Sequence, residues 1–197
     1  MTRLADIVLS VTGLVLCSPL FLVIACLIKL TSKGPVFFLQ TRVGLHNKDF
    51  KICKFRTMEQ GAAKKYALTV GSKDSRITYV GYYLRKYKLD ELPQLYNVLK
   101  GNMSIVGPRP ELRKYVELYT PEQRNVLSIR PGITDYASIQ FRHENDLLAA
   151  ADNPENYYIE HILPVKLQLN QQYIKNKSLG NYFFVIWATI FGNSRTF

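Results

Sequence analysis

Between Asp6 and Lys29 the chain carries no charged side chain, and the stretch around it, residues 4–30 (LADIVLSVTGLVLCSPLFLVIACLIKL), has the hydrophobicity of a membrane segment. As one straight helix it would reach roughly 40 Å, enough to cross a hydrocarbon core of about 30 Å. A secretory signal fits poorly. Such a signal has a shorter apolar core and a small-residue cleavage site, whereas here residues 29–33 lead into another apolar stretch. Ser18-Pro19 interrupts the middle of the segment. Proline there removes one backbone donor and crowds the preceding turn, while the serine hydroxyl can satisfy the freed carbonyl, so a bend is expected. Split at Pro19, the arms are about 22 Å and about 18 Å long, each too short to cross alone. Cations flank both ends (Arg3; Lys29 and Lys33), as for a re-entrant hairpin that enters and leaves one leaflet. A kinked transmembrane helix uses the same residues, and these physical arguments favour re-entry only slightly.

The chain, at 197 residues, is long enough for one domain with a real core. Its 26 Lys and Arg against 15 Asp and Glu leave a formal net charge of +11, which implies an anionic partner: nucleic acid, anionic lipid or a phosphorylated substrate. Cys17, Cys26 and Cys53 form no CxxC pair, which fits a reducing compartment. His46, His143 and His161 lack zinc-ligand spacing, so metal chemistry would have to use carboxylates.

After the Lys33-Gly34-Pro35 turn, VFFLQTRVG reads as a strand or an interfacial aromatic segment, and DFKICKFRTM alternates apolar and basic residues as a strand does. Residues 59–76 are polar and lysine-rich, and read as an exposed loop. Neither an inter-domain linker nor an internal repeat is visible. In LDELPQLYNVLKG the apolar positions Leu92, Leu95, Tyr96 and Leu99 fall at helical spacing, and Gly101 is a natural stop. Because Pro93 suits only a first turn, the helix should begin near Glu91 and run about three turns. Asp90 and Glu91 would then sit at a helix N-terminus, a place that favours carboxylates and phosphates alike. An acidic pair there is most often a simple cap. Arg85, Lys86 and Lys88 lie just upstream, with charge suited to a diphosphate. SIVGPRPE and RPGIT each hold one arginine, Arg109 and Arg130, on a rigid turn fit for phosphate contact, although a solvated surface arginine is the ordinary alternative. ASIQFR then reads as a strand, and residues 144–158 as a loop with one or two helical turns. The apolar run at residues 182–191 is too short to span. It fits an interfacial helix, with Tyr182 and Trp187 at headgroup depth, as well as a buried core helix.

Four blocks in this order, KLTSKGPVFFLQTRVG, KFRTM, LDELPQLYNVLKGNMSIVGPRPE and RPGIT, resemble the bacterial sugar transferases, the monotopic phosphoglycosyltransferases that start glycoconjugate assembly. The likeness covers about residues 3–140. It implies an α/β fold, mainly helical with a small sheet. Residues 1–30 would form a re-entrant membrane helix broken at Ser18-Pro19, and residues 31–197 one catalytic unit resting on interfacial amphipathic helices at the cytoplasmic face of a bacterial inner membrane. It further implies that Asp90 is a nucleophile toward the sugar-bearing phosphate of a UDP-sugar, expelling UMP, and that polyprenyl phosphate then takes the phosphosugar. Glu91 would hold Mg2+ with Asp90 or accept a proton. Lys54, Arg85, Arg109 and Arg130 match basic family positions that bind phosphates or hold the carboxylates, and Arg56 fits the same role. Oligomeric state is left open, with a homodimer among the options, and nucleic acid is not an expected partner.

Two departures from the family pattern stand out. Asn102 replaces a common aspartate and is not counted as a ligand, and Asp135-Tyr136-Ala137-Ser138 replaces the usual small continuation after RPGIT, which bears on the choice of donor sugar. Since the chain starts at the re-entrant segment, a minimal catalytic form is expected. Two rivals remain. A basic polyanion-binding module explains the charge but not residues 4–30. A transferase moving only the sugar often carries a DxD motif, which this chain lacks.

Overall fold

The computed structural model describes residues 2–61 and 74–192. Most of the tract expected as an exposed loop, residues 59–76, lies outside the described residues. Among those described, the architecture is mainly helical with a small sheet.

The apolar N-terminal segment forms α1 (Thr2–Leu16) and α2 (Ser18–Thr31), with a bend of 59° between them. Pro19 has no N–H to offer the Val15 carbonyl, and the Ser18 hydroxyl donates to that oxygen at 2.8 Å instead. The backbone ladder resumes on either side, through Cys17 N–H to Gly13 O and Phe21 N–H to Cys17 O, both 2.9 Å. Among the described residues no single helix is long and apolar enough to cross a membrane, whereas the bent pair taken together is. Its outer side is bare: Leu4, Leu16, Leu22 and Leu30 are each at least 70% exposed.

Strands β1 (Phe37–Val43) and β2 (Asp49–Phe55) pair antiparallel, from Phe37 opposite Phe55 to Val43 opposite Asp49, as their alternation predicts. Next come α3 (Tyr79–Lys86) and α4 (Gln94–Leu99), then β3 (Ser104–Val106), α5 (Arg113–Val116) and β4 (Gly132–Thr134). β3 and β4 form a short parallel pair, with Ser104 beside Gly132 and Val106 beside Thr134. The remainder is α6 (Tyr136–Gln140), α7 (Glu144–Ala149), α8 (Pro154–Tyr157), α9 (Leu163–Lys175) and α10 (Leu179–Phe191), with a π-helical turn at Tyr158–Ile162 joining α8 to α9.

The structure corrects two expectations. The segment read as a strand, ASIQFR, is largely α6, because Asp135 caps it: the carboxylate accepts from Ser138 N–H at 2.6 Å, and Tyr136, Ala137 and Ile139 turn inward. The helix expected from Glu91 begins as α4 at Gln94. Before it, Leu89–Glu91 is a 3-10 turn, and Glu91, Leu92, Leu95 and Tyr96 all donate three residues back rather than four. Pro93, which cannot donate, explains the tighter winding. Nor is the apolar stripe the buried face. Gln94, Asn97 and Val98 point inward, Tyr96 is exposed, and Leu95 meets Gly13 of α1.

Three packed layers position the rest. Ile24 and Ile28 of α2 pack with Phe55 and Leu84, which seats α3 against α2. Tyr115, Val116, Tyr158, Ile162 and Leu167 fill the space between α5 and α9. Tyr182, Val185 and Ala188 bury one face of α10 beside α6 and α9, while Trp187, Ile190 and Phe191 on its other face are exposed. The buried face, with Tyr182 fully enclosed rather than at the surface, is that of the core-helix alternative.

Candidate active site

Four local devices bring the charged groups together. Thr78 caps α3, its hydroxyl accepting from Gly81 N–H at 2.9 Å, and Gly81 lies so close to the Thr57 carbonyl that a Cβ there would fall 2.1 Å from it. At the other end of α3, Lys88 takes a left-handed conformation (φ 57°) and turns the chain into the Leu89–Glu91 turn that carries the acidic pair. Asn97 stitches α4 to the neighbouring strand: its Oδ1 accepts from Cys53 N–H at 2.9 Å and its Nδ2 donates to Lys51 O at 2.8 Å. That bond aligns β2 so that Lys54 reaches Glu91. Finally, Gly107 and Gly132 meet backbone to backbone where β3 and β4 end and begin. The following Arg109 is fixed by its own N–H donating to Asp135 at 3.1 Å.

The two carboxylates live in different surroundings. Glu91 is clamped by both of its oxygens: Lys54 donates to Oε1 at 2.8 Å, and the Arg109 guanidinium takes Oε1 and Oε2, the latter at 3.2 Å. Burial opposes ionisation of Glu91, but Arg109 and Lys54 together outweigh it and hold the carboxyl well below the usual carboxylate range. Asp90 is also buried, yet among the described residues no hydrogen bond or ion pair engages its carboxylate. Burial, then the neighbouring charge of Glu91, push its pKa up, against the pull of Lys54, Arg85 and Lys88. The pair thus divides into a pinned anion and an unpinned, destabilised one.

Of the basic residues expected at the site, Lys54 and Arg109 touch the pair directly, and Arg85 acts on Asp90 from the last turn of α3. Two lie elsewhere. The Arg56 guanidinium is spent on the carbonyls of Ser32, Lys33 and Pro35, at 3.0, 2.5 and 2.6 Å, where it locks the turn that follows α2. Arg130 is exposed and donates to Gly101 O at 3.0 Å, past the far end of α4 from Asp90. Sequence reasoning overlooked a supporting shell behind Arg109. Glu111 faces Arg42 at 3.7 Å and accepts from Tyr158 OH at 2.6 Å, while Lys166 pairs with Glu144 at 2.5 Å. Membership of Arg42 and Glu111 in the QTRVG and GPRPE blocks was the available signal.

Chemically, a buried carboxylate without a cationic partner beside a row of fixed cations suits attack on a phosphate whose charge those cations offset. Among the described residues no third carboxylate, histidine or thiol joins the pair. Mg2+ needs no more than that, since it is commonly held by one or two carboxylates together with substrate phosphates and water. Asp90, with its lone pairs open, fits such an ion better than Glu91, whose oxygens already face Lys54 and Arg109.

A family model described as bacterial sugar transferase matches residues 1–195. Among similar proteins is a UDP-N-acetylgalactosamine-undecaprenyl-phosphate N-acetylgalactosaminephosphotransferase of Aeromonas hydrophila, 41% identical over 190 residues, which are 94% of this chain and 41% of that protein. A UDP-glucose:undecaprenyl-phosphate glucose-1-phosphate transferase of Klebsiella pneumoniae is 37% identical over 193 residues, 96% of this chain and 39% of its own. The exopolysaccharide production protein ExoY of Rhizobium meliloti is 36% identical over 203 residues, 95% of this chain and 83% of its own. The chain thus spans about two-fifths of the length of the first two relatives.

Proposed function

The chain belongs to the bacterial sugar transferase family, and from that premise we propose that it moves a phosphosugar from a UDP-sugar to polyprenyl phosphate, undecaprenyl phosphate being the form named in its relatives. In this reading an Asp90 oxygen attacks the sugar-bearing phosphorus, an aspartyl–phosphosugar bond forms, and the bond to the second phosphate breaks to release UMP. An oxygen of the lipid phosphate then attacks the same phosphorus, which frees the Asp90 carboxylate and leaves a lipid-linked diphosphosugar. Splitting the transfer in two lets a soluble donor and a lipid acceptor use one site in turn.

The observation that carries this reading is the unequal carboxylate pair. Asp90 is buried, unpinned and weakly stabilised as an anion, as a nucleophile should be, while Glu91 is held ionised and is therefore a poor proton acceptor. We assign Glu91 to holding Lys54 and Arg109 where the diphosphate must lie, with Arg85 also acting on Asp90. Mg2+ bound at Asp90 would offset the charge of the donor diphosphate. The bent α1–α2 pair would enter and leave one leaflet on the cytoplasmic side of the inner membrane. The exposed aromatic face of α10 would lie in the interface.

Detergent-solubilised protein with Mg2+, polyprenyl phosphate and a panel of UDP-sugars tests the proposal. Wild type should release UMP with at least one donor, only with magnesium, and Asp90→Asn should release none. UDP in place of UMP, or an active Asp90→Asn, would refute it.

A further inference from the structure

The membrane segment contains one carboxylate, Asp6, and it is 2% exposed. A carboxylate in an apolar helix is costly to bury unless it is fully hydrogen-bonded, and leucine would serve insertion better. Asp6 spends a single oxygen on three donors from two distant elements: Ser104 Oγ at 2.9 Å and Ile105 N–H at 2.9 Å at the start of β3, and Tyr182 OH at 2.8 Å on α10. One turn earlier, the Arg3 guanidinium donates to Val98 O at 2.7 Å and Leu99 O at 3.0 Å, at the C-terminal end of α4. Further along α1, past both ties, the helix stays in contact with α4, with Leu95 against Gly13.

These bonds reach both halves of the carboxylate site. α4 begins just after Asp90 and Glu91, and β3 runs straight into the Gly107–Pro108–Arg109 turn that clamps Glu91. Both are tied to the first arm in addition to their bonds within the catalytic body, α4 to β2 through Asn97 and β3 to β4. α10, tied through Tyr182, carries the exposed apolar face that includes Trp187.

We propose that Asp6, assisted by Arg3, is a positioning residue that fixes the height of the Asp90–Glu91 pair above the bilayer, and so governs access of the lipid-phosphate acceptor but not of the soluble donor. The consequence for substrates rests on the transfer reading given above; the consequence for depth does not.

Two measurements test it. Trp187 is the sole tryptophan of the chain, so its depth can be read by quenching in phosphatidylcholine–phosphatidylglycerol vesicles whose acyl chains are brominated either near the glycerol or near the chain end. Asp6→Leu should shift the Trp187 quenching profile, Tyr182→Phe should shift it less, and Asp6→Asn, which keeps the accepting oxygen, should leave it close to wild type. In turnover, Asp6→Leu should raise the KM for polyprenyl phosphate about tenfold while the KM for the UDP-sugar stays within about twofold, with Asp6→Asn largely restoring the first. An unchanged Trp187 profile in Asp6→Leu would overturn the proposal. So would a common fall in kcat with both KM values rising together, which is the mark of a general loss of structure. If wild type releases no UMP, the transfer reading fails and the Trp187 profile alone decides on Asp6.

Discussion

Asp90 and Glu91 are neighbours in sequence and opposites in energetics, and the difference has a stability consequence. Glu91 titrates below its unfolded value, so its contribution is complete above about pH 4.3, the ordinary glutamate value, and is lost as the pH falls through its folded pKa. Asp90 is raised, so the fold favours its protonated form, and stability is lost as the pH climbs from about 3.9 through the folded pKa. Removing the Asp90 charge should therefore stabilise the protein while abolishing transfer. In magnesium-free buffer at pH 7, Asp90→Asn should melt at a higher temperature than wild type, and the gap should close as the pH is lowered and wild-type Asp90 takes up its proton. An Asp90→Asn protein that melts lower at pH 7 would mean that the carboxylate is structurally satisfied in a way the geometry does not provide. Stability given up at a reacting group is the usual relation between site and scaffold.

Arg109 depends on an element contact that no side chain mediates. A Cβ on Gly107 would lie 2.4 Å from Arg130 O, and one on Gly132 would lie 2.1 Å from Gly107 N, so the two backbones touch where β3 leaves its partner. Gly107→Ala should force them apart, lower stability by roughly 1–3 kcal/mol as overpacking does, and loosen the grip on Glu91. Denaturant unfolding and UMP release measured on the same preparation should fall together, and full retention of both would show that the crossing can relax. This contact also marks how far the sequence could be read. Strand β2 was legible because alternation is a local property, β1 was one of two readings of its segment, and the break at Ser18-Pro19 was legible too, since its cause lies within one turn. The acidic pair and its partners Lys54 and Arg109 came as site residues from ordered blocks, not from periodicity. What could not be read depended on which polar groups the folded chain joins. ASIQFR has a strand-like alternation, and one hydrogen bond from Ser138 N–H to Asp135 commits it to helix. Arg56 sits beside a glycine-proline turn as a phosphate-binding residue would, and only the folded chain shows its guanidinium taken by backbone carbonyls, while Arg130 gives its Nε–H to Gly101 O.

At the scale of the whole molecule, the bent N-terminal segment is held in shape twice, once by its own proline and once by the body it is tied to. Straightened, residues 2–31 would form one helix of roughly 45 Å, long enough to span with tilt. Pro19→Ala restores the missing donor to Val15 O and relieves a penalty of about 3 kcal/mol that proline imposes in a helix interior. Spanning, however, would carry one arm away from the catalytic body and break the three bonds to Asp6 and the two from Arg3. Bonds to charged groups are worth about 1.5–3 kcal/mol each, so the three at Asp6 alone exceed the gain from removing the proline. Pro19→Ala should therefore keep both ends of the segment on one side of the membrane, and only Pro19→Ala combined with Asp6→Leu should send the N-terminus across. The check is labelling of Thr2→Cys, in a background with Cys17, Cys26 and Cys53 replaced by serine, using a membrane-impermeant maleimide on intact cells and on inverted vesicles. Inversion by Pro19→Ala alone would show that the proline dominates and that the Asp6 ties follow the bend; retention in the double variant would show that the bend has a further cause outside both.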